Sequence, residues 1–182
     1  MNLAPRGANL TRAAFTLLEL LAVLAIILVL AGTIFSAGYH ASLTGRSARN
    51  RVELTVLEGA LEHYRLAYGD YPRTEDPSRL LQSLLGRYDP AGISIAGGAL
   101  IDPAKFTTNS TPGPWTDPAA ELTDAWGQPY RYAYKTQVPW TNSSYVLYSI
   151  GPDGSDSPAL LTGGFPDVTS PLNADNQYAG RH

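Results

Sequence analysis

The ionisable side chain with the clearest chemical consequence is Glu19, because it is the one charged residue in the apolar run from Phe15 to Phe35. A carboxylate within an apolar helix costs about 2–3 kcal/mol on membrane-insertion scales unless a cation pairs with it. If the chain were cut before Phe15, the new amino group would lie about one helical turn from Glu19. The amino group of a neighbouring copy can then pair with this carboxylate and fix the axial register of a polymer.

The apolar run around Glu19 predicts a membrane-spanning helix, because about 20 helical residues cross the hydrocarbon core of a bilayer. It is too long and too poor in β-branched residues for a strand. Arginines lie on both sides of the run, at Arg6, Arg12, Arg46, Arg49 and Arg51. This balance leaves the positive-inside rule undecided. We place the short N-terminus in the cytoplasm, because a large C-terminal domain can be translocated whatever its charge.

Two other interpretations of this run stay open from the residues alone. A secretory signal peptide would be cut after Ala37, although its apolar region would exceed the usual ~7–15 residues and would contain an acid. A plain membrane anchor would also span the bilayer, but in that case Glu19 would serve no purpose.

The composition limits the rest of the chain to one modest domain. The 182 residues carry a formal net charge of −3, so we expect no nucleic-acid partner. The lack of cysteine excludes a disulfide framework, a Cys-based zinc site and a thiol nucleophile.

All but one of the 14 prolines lie at Pro72 or later. A helical N-terminal part therefore gives way to a turn-rich part near residues 69–72.

Catalytic chemistry finds no support in the sequence. The three histidines fall in no catalytic triad or metal motif, and no glycine-rich phosphate loop is present. They are His40, His63 and His182. We therefore expect that the chain is not an enzyme.

The segment from residue 38 to residue 70 is predicted to be an amphipathic helix that continues the apolar one. Its apolar residues recur at three- or four-residue steps between Arg49 and Tyr68. Gly69 ends the helix, and Pro72 opens the turn that follows. Glycines soften the middle of this long helix, but no proline interrupts it.

Residues 71–182 are predicted to form the exported globular domain. Asp76-Pro77 marks a helix start with proline in the first turn, and Gly86 ends that helix. Residues 87–123 read as a long loop, with a short strand at Ile93 to Ile95 as an alternative. The alternating stretches 130–134 and 145–150 predict an antiparallel pair of strands. The fold class is therefore α+β, a long helix packed on a small antiparallel sheet, with a loop-rich C-terminal region.

The segment from Arg12 to Glu19, followed by the apolar run, resembles the class III prepilin signal of type IV pilins and pseudopilins. The resemblance implies that residues 1–14 are a cytoplasmic leader. It also implies that a prepilin peptidase cuts between Ala14 and Phe15 and that the new amino group of Phe15 is methylated. Residues 15–37 would then be the membrane-spanning and polymerisation helix. Ala14 departs from the family, which usually has glycine there.

Three further stretches, residues 63–72, 124–130 and 145–154, resemble the major pseudopilin of type II secretion. They match its tyrosine-rich helix end, its Asp-x-Trp-Gly-x-Pro-Tyr turn and its Tyr-x-Leu-Tyr-Ser-x-Gly-x-Asp-Gly stretch. The loop 87–123 and the tail after Ser155 match poorly. This resemblance implies a pilin-like fold in a single-pass protein of the inner membrane, with the C-terminal domain outside the cytoplasm.

The function that the resemblance implies is that of a structural subunit of a pseudopilus. Its expected partners are further copies of itself, minor pseudopilins, prepilin peptidase, the inner-membrane assembly platform with its ATPase, and membrane lipid before assembly. A type IV pilus or competence pilin is an alternative within the same class. A membrane-anchored exported domain that binds a ligand or catalyses a reaction is an alternative from a different class.

The resemblance also implies a calcium site in the loop after the last predicted strand. Asp153, Asp156 and Asp167 would supply carboxylate oxygens, and Ser155 and the carbonyl of Ile150 would complete the set. Without the resemblance, this Asp-Gly-Ser-Asp stretch is simply a turn.

Overall fold

The structure is a computed structural model that describes residues 16–180, except for the side chains of residues 33–41. The predicted leader and the cleavage site at Ala14 and Phe15 lie outside the described residues. The chain divides between Ser42 and Leu43 into two compact units.

A single long helix accounts for nearly all of the described part of the first unit. Helix α1 begins at Leu17 and ends at Tyr68. The prediction of one helix without a proline break is confirmed, because α1 continues through the glycine-containing segment. Gly69 ends it with a φ of 87°, a left-handed conformation that glycine adopts without strain. Among the described residues, no helix combines the length and the apolar character that are needed to cross a membrane.

The core of the second unit forms where the last part of α1 packs beside the short helix α2, Pro77–Leu84. Asp76 caps α2, since its carboxylate accepts a hydrogen bond of 2.9 Å from the Ser78 N–H. The apolar side chains of both helices share one hydrophobic cluster. Its members include Leu54, Leu57, Leu61 and Tyr64 of α1 and Leu80, Leu81 and Leu84 of α2, all of them buried. The predicted helix after Asp76 is therefore confirmed.

A three-stranded antiparallel sheet lies at the centre of the second unit. Its strands are β3 (Arg131–Ala133), β4 (Val146–Ser149) and β7 (Gln177–Tyr178), in the order β3-β4-β7. The predicted pairing of the first two is confirmed, and Tyr132 lies opposite Leu147. Both strands are shorter than predicted. The third strand comes from the tail, for which only turns were predicted.

The remaining strands form two small antiparallel pairs. Strand β1 (Thr107–Thr108) pairs with β2 (Leu122–Thr123), and β5 (Leu160–Leu161) pairs with β6 (Phe165–Pro166). Residues 87–123 are otherwise mostly irregular, as predicted. The alternative of a strand from Ile93 to Ile95 is wrong, since only an isolated bridge between Tyr88 and Ser94 forms there. The fold class of the described chain is α+β.

Candidate functional site

The first candidate site is the beginning of α1, where Glu19 lies in the first turn. The backbone N–H of Glu19 donates a hydrogen bond of 3.2 Å to the hydroxyl of Thr16, so Thr16 caps this end of the helix. The Glu19 side chain is exposed. It belongs to no ion pair among the described side chains. The carboxylate is therefore available to a cation from another molecule.

The helical surface around Glu19 is apolar on every side. The exposed large hydrophobic side chains run from Leu17, which is 82% exposed, to Leu30, which is 55% exposed. Nothing among the described residues covers them, whereas an all-round apolar helix is normally buried in protein or lipid. The described part of this helix therefore exposes an apolar surface of the kind that protein or lipid normally covers.

The second candidate site is the loop that follows β4, where a calcium ion was predicted. The Asp153 carboxylate accepts a hydrogen bond of 2.8 Å from the Ser155 N–H. Asp156 pairs with the guanidinium of Arg131 at 3.2 Å. Hydrogen bonds from Thr169 lower the pKa of Asp167. Each of the three carboxylates thus has its own local partners.

These carboxylates do not form a cluster with one another. The described residues contain no group of three or more His, Cys, Asp or Glu side chains that could hold a metal ion. Because Asp156 is neutralised by Arg131, its carboxylate is poorly suited to bind a cation as well. Ile150 is buried, and Ser155 is half-buried.

Sequence reasoning missed the oxygen donor Asp175 beside this loop, and it also missed Asn176, which lines a different groove beside α1. One carboxylate oxygen of Asp175 accepts a hydrogen bond of 3.2 Å from the Asp153 N–H. The other is buried and has no hydrogen-bond partner, and the same holds for the Asn176 side-chain oxygen. Buried polar atoms are nearly always satisfied, so these two need a donor or a cation. The polar run from Asn173 to Asn176 is the signal that could have marked them.

Gly151 brings the loop and this polar run close together. The backbone φ of Gly151 is 76°, and a methyl group added to this residue would lie 2.6 Å from a carboxylate oxygen of Asp175. Only glycine fits both the space and the backbone conformation. Asp153 and Asp175 carry the hard oxygen donors that calcium prefers, but no third acidic or histidine side chain joins them among the described residues.

A third polar group lies inside the second unit and involves α1, β7 and the start of β3. Asn50 and Glu53 are buried on α1, and the Tyr130 hydroxyl lies 2.7 Å from an oxygen of each. The Asn50 amide donates a hydrogen bond of 3.0 Å to Gln177, whose own amide donates one of 2.8 Å to Ser47. These bonds fix the tail against the helix, so their role is to hold the fold together.

The tyrosines that alternate in and beside β3 belong to the core. Tyr130, Tyr132 and Tyr134 are all buried, so they pack within the domain and present no exposed platform to a ligand. His63 is exposed on α1. The side chain of His40 and the whole of His182 lie outside the described residues.

A comparison of this chain with protein families, curated proteins and solved structures found no match.

Proposed function

We propose that this chain is a structural subunit of a pseudopilus in a type II-like secretion system. The proposal depends on Glu19, which lies in the first turn of α1. Its carboxylate is exposed and belongs to no ion pair among the described side chains, and the apolar side chains around it are exposed as well. The described residues of one chain neither pair with this charge nor cover the apolar surface. A polymer of copies does both.

The proposed maturation supplies the missing cation. Prepilin peptidase cuts between Ala14 and Phe15, and the new amino group is methylated and stays positively charged. That amino group on one copy pairs with Glu19 of the next. The apolar side chains lose contact with lipid and gain contact with neighbouring helices, while close packing of the helices and the buried ion pair favour the polymer.

In this proposal the chain has a pilin-like fold. Residues 15–37 cross the inner membrane before assembly, with the N-terminus in the cytoplasm and residues 71–182 outside it. The chain itself performs no catalysis. Prepilin peptidase, minor pseudopilins and the assembly platform with its ATPase act on the filament.

Calcium forms part of the same proposal, with a ligand set that differs from the predicted one. Asp153 and Asp175 hold the ion together with the Ile150 carbonyl and Ser155. Asp156 and Asp167 keep their present partners. The bound ion would supply positive charge to the unpaired oxygen of Asp175 and so strengthen the attachment of the tail to the loop after β4.

The experiment that tests the proposed function expresses the full chain in a host with a prepilin peptidase. The mature protein should begin at a methylated Phe15 by mass spectrometry. Glu19→Gln keeps the size of the side chain but removes its charge, so it should be processed yet excluded from filaments. Glu58→Gln on the same helix is the matched control and should assemble normally. An intact leader, a cut after Ala37, or normal assembly of Glu19→Gln would each contradict the proposal.

A further inference from the structure

A cluster of arginines follows the apolar run. Arg46, Arg49 and Arg51 are the only charged residues between Glu19 and Glu53. The positive-inside rule places such arginines in the cytoplasm, yet here they precede the domain that is proposed to be exported. If the leader is removed, Arg6 and Arg12 leave with it. All the cationic side chains near the membrane would then lie on the exported side, so the cluster needs a different explanation.

The three arginines differ in what they contact. Arg49 pairs with the buried Glu53 at 2.7 Å and also bonds to Thr107, so the fold itself uses its charge. Arg46 and Arg51 are exposed. Neither belongs to an ion pair among the described side chains. Two positive charges therefore remain for a partner outside the chain.

Arg51 lines a groove of about 370 Å³ in the second unit. The groove offers hydrogen-bond donors. The Ser47 hydroxyl accepts a bond from Gln177 and keeps its own hydrogen for donation. The indole N–H of Trp126 is buried and has no acceptor among the described residues. A buried donor without an acceptor is unfavourable, so an acceptor that reached this N–H would be stabilised there.

Apart from Thr44, the other residues that line this groove are apolar. Leu43 and Ala48 line it from the helix, and Pro152 lines it from the loop after β4. Leu43 also follows Phe35, the end of the apolar run, by only eight residues in the sequence. Charges within about 15–20 residues of a membrane span act at the bilayer surface, and tryptophan is enriched there. A ligand with one anionic end and one apolar end suits this combination of walls.

We propose that this groove binds the phosphate of an anionic phospholipid headgroup, with Arg51 as the charged donor and Ser47 and Trp126 as neutral donors. Arg46 adds nearby positive charge. This site rests on the proposed function, because it needs the preceding run to lie in a bilayer. It gives the subunit a lipid partner of defined chemistry before assembly.

The test uses the full chain in a neutral detergent and short-chain dihexanoyl-phosphatidylglycerol as the probe. The near-ultraviolet circular dichroism of the aromatic residues reports the melting temperature of the domain, which rises when a ligand binds only the folded state. The melting temperature should rise with this lipid. Neither dihexanoyl-phosphatidylcholine nor inorganic phosphate at the same concentration should reproduce the rise. An equal rise with the choline lipid, or with inorganic phosphate, overturns the headgroup site.

Variants assign the effect to the groove. Arg51→Gln should weaken the apparent affinity about tenfold, since it removes a charge-assisted hydrogen bond. Arg51→Lys keeps the positive charge and should therefore retain most of the apparent affinity for the lipid. Lys105 is the matched control, because it is exposed, belongs to no ion pair among the described side chains and does not line the groove. Lys105→Gln should bind as the unmodified chain does. Equal losses in Arg51→Gln and Lys105→Gln, or no loss in Arg51→Gln, overturn the site.

The same preparations separate this site from the proposed function. If the chain is cut after Ala37, the proposed function fails whatever the lipid does. If it is cut before Phe15 and assembles but does not distinguish the two lipids, only the headgroup site is overturned.

Discussion

The hydroxyl oxygen of Tyr130 lies 2.7 Å from a carboxylate oxygen of Glu53, although 77 positions separate the two residues in sequence. The other carboxylate oxygen of Glu53 accepts a hydrogen bond from Arg49, and Asn50 lies equally close to the tyrosine hydroxyl. Burial, together with the hydrogen bond to Glu53, raises the pKa of Tyr130 far above its usual range. The hydroxyl therefore stays protonated and donates, which keeps a buried carboxylate satisfied within the core.

Tyr130→Phe should destabilise the domain by about 1–3 kcal/mol, because it removes the single hydroxyl hydrogen that the buried oxygens of Asn50 and Glu53 share. The free energy of unfolding in urea, followed by near-ultraviolet circular dichroism, measures the change. Tyr88→Phe is the matched control, since no hydrogen bond from the Tyr88 hydroxyl contributes to the described structure. Equal changes in the free energy of unfolding for the two substitutions would show that the hydrogen bonds of the Tyr130 hydroxyl do not stabilise the domain.

Asp70 should give the domain a pH-dependent stability at low pH. Burial opposes ionisation of Asp70, but hydrogen bonds from Lys135, Tyr134 and Arg73 prevail and hold its pKa well below its usual range. A carboxyl whose folded pKa is depressed stabilises the fold above its unfolded pKa of about 3.9, and this stability is lost as the pH falls toward the folded pKa. Melting temperatures between pH 5 and pH 2 should therefore fall less steeply for Asp70→Asn than for the unmodified chain.

Glu75→Gln is the control for Asp70, because Glu75 is exposed, lies in the same connection between α1 and α2, and forms no ion pair among the described side chains. Its melting curve should follow that of the unmodified chain. If both variants showed the same slope against pH, the depressed pKa of Asp70 would not explain the loss of stability in acid.

Gly151→Ala should destabilise the domain more than Gly154→Ala does. Both glycines have positive φ, 76° and 65°, so alanine meets similar backbone strain at each. The added methyl at residue 151 would also lie 2.6 Å from a carboxylate oxygen of Asp175, whereas at residue 154 its nearest neighbour is 3.8 Å away. Thermal melts of the two variants measure the difference. Equal melting temperatures would mean that Asp175 does not pack against Gly151.

Removal of calcium should lower the melting temperature of the unmodified chain, because an ion bound only to the folded state stabilises it by mass action. Asp175→Asn should abolish the response to a chelator, since this variant removes the charge of a proposed ligand. Asp167→Asn should keep the response, because the Asp167 carboxylate is engaged by Thr169 and Ser170. Absence of any shift on chelation in the unmodified chain would rule out the calcium site.

Local signals explain which elements could be predicted from the sequence. Asp76 and Pro77 mark the start of α2 by their own chemistry, and the pattern of apolar residues marks its buried face. Gly69 likewise marks the end of α1. The two stretches that form β3 and β4 alternate and follow each other in sequence, so their pairing could be predicted from the pattern of each.

The strand β7 could not be predicted in the same way. It contains only Gln177 and Tyr178, too few residues for an alternating pattern, and it forms because the edge of β4 and the amide of Asn50 meet it from far along the chain. The same limit applies to the second candidate site. Asp175 lies beside Asp153 only after the tail has folded back, so sequence reasoning chose nearer acids such as Asp156.

The attachment of β7 to α1 also limits how early the domain can finish folding during synthesis of the chain. Asn50 and its acceptor Gln177 are 127 positions apart. At a synthesis rate of about 5–20 residues per second, roughly 6 to 25 seconds pass between their emergence from the ribosome. Until Gln177 emerges, α1 lacks its hydrogen bond to the tail, and β4, which is made late in this interval, has one edge without a partner strand. During this interval chaperones and proteases can bind the incompletely folded domain before β7 attaches to it.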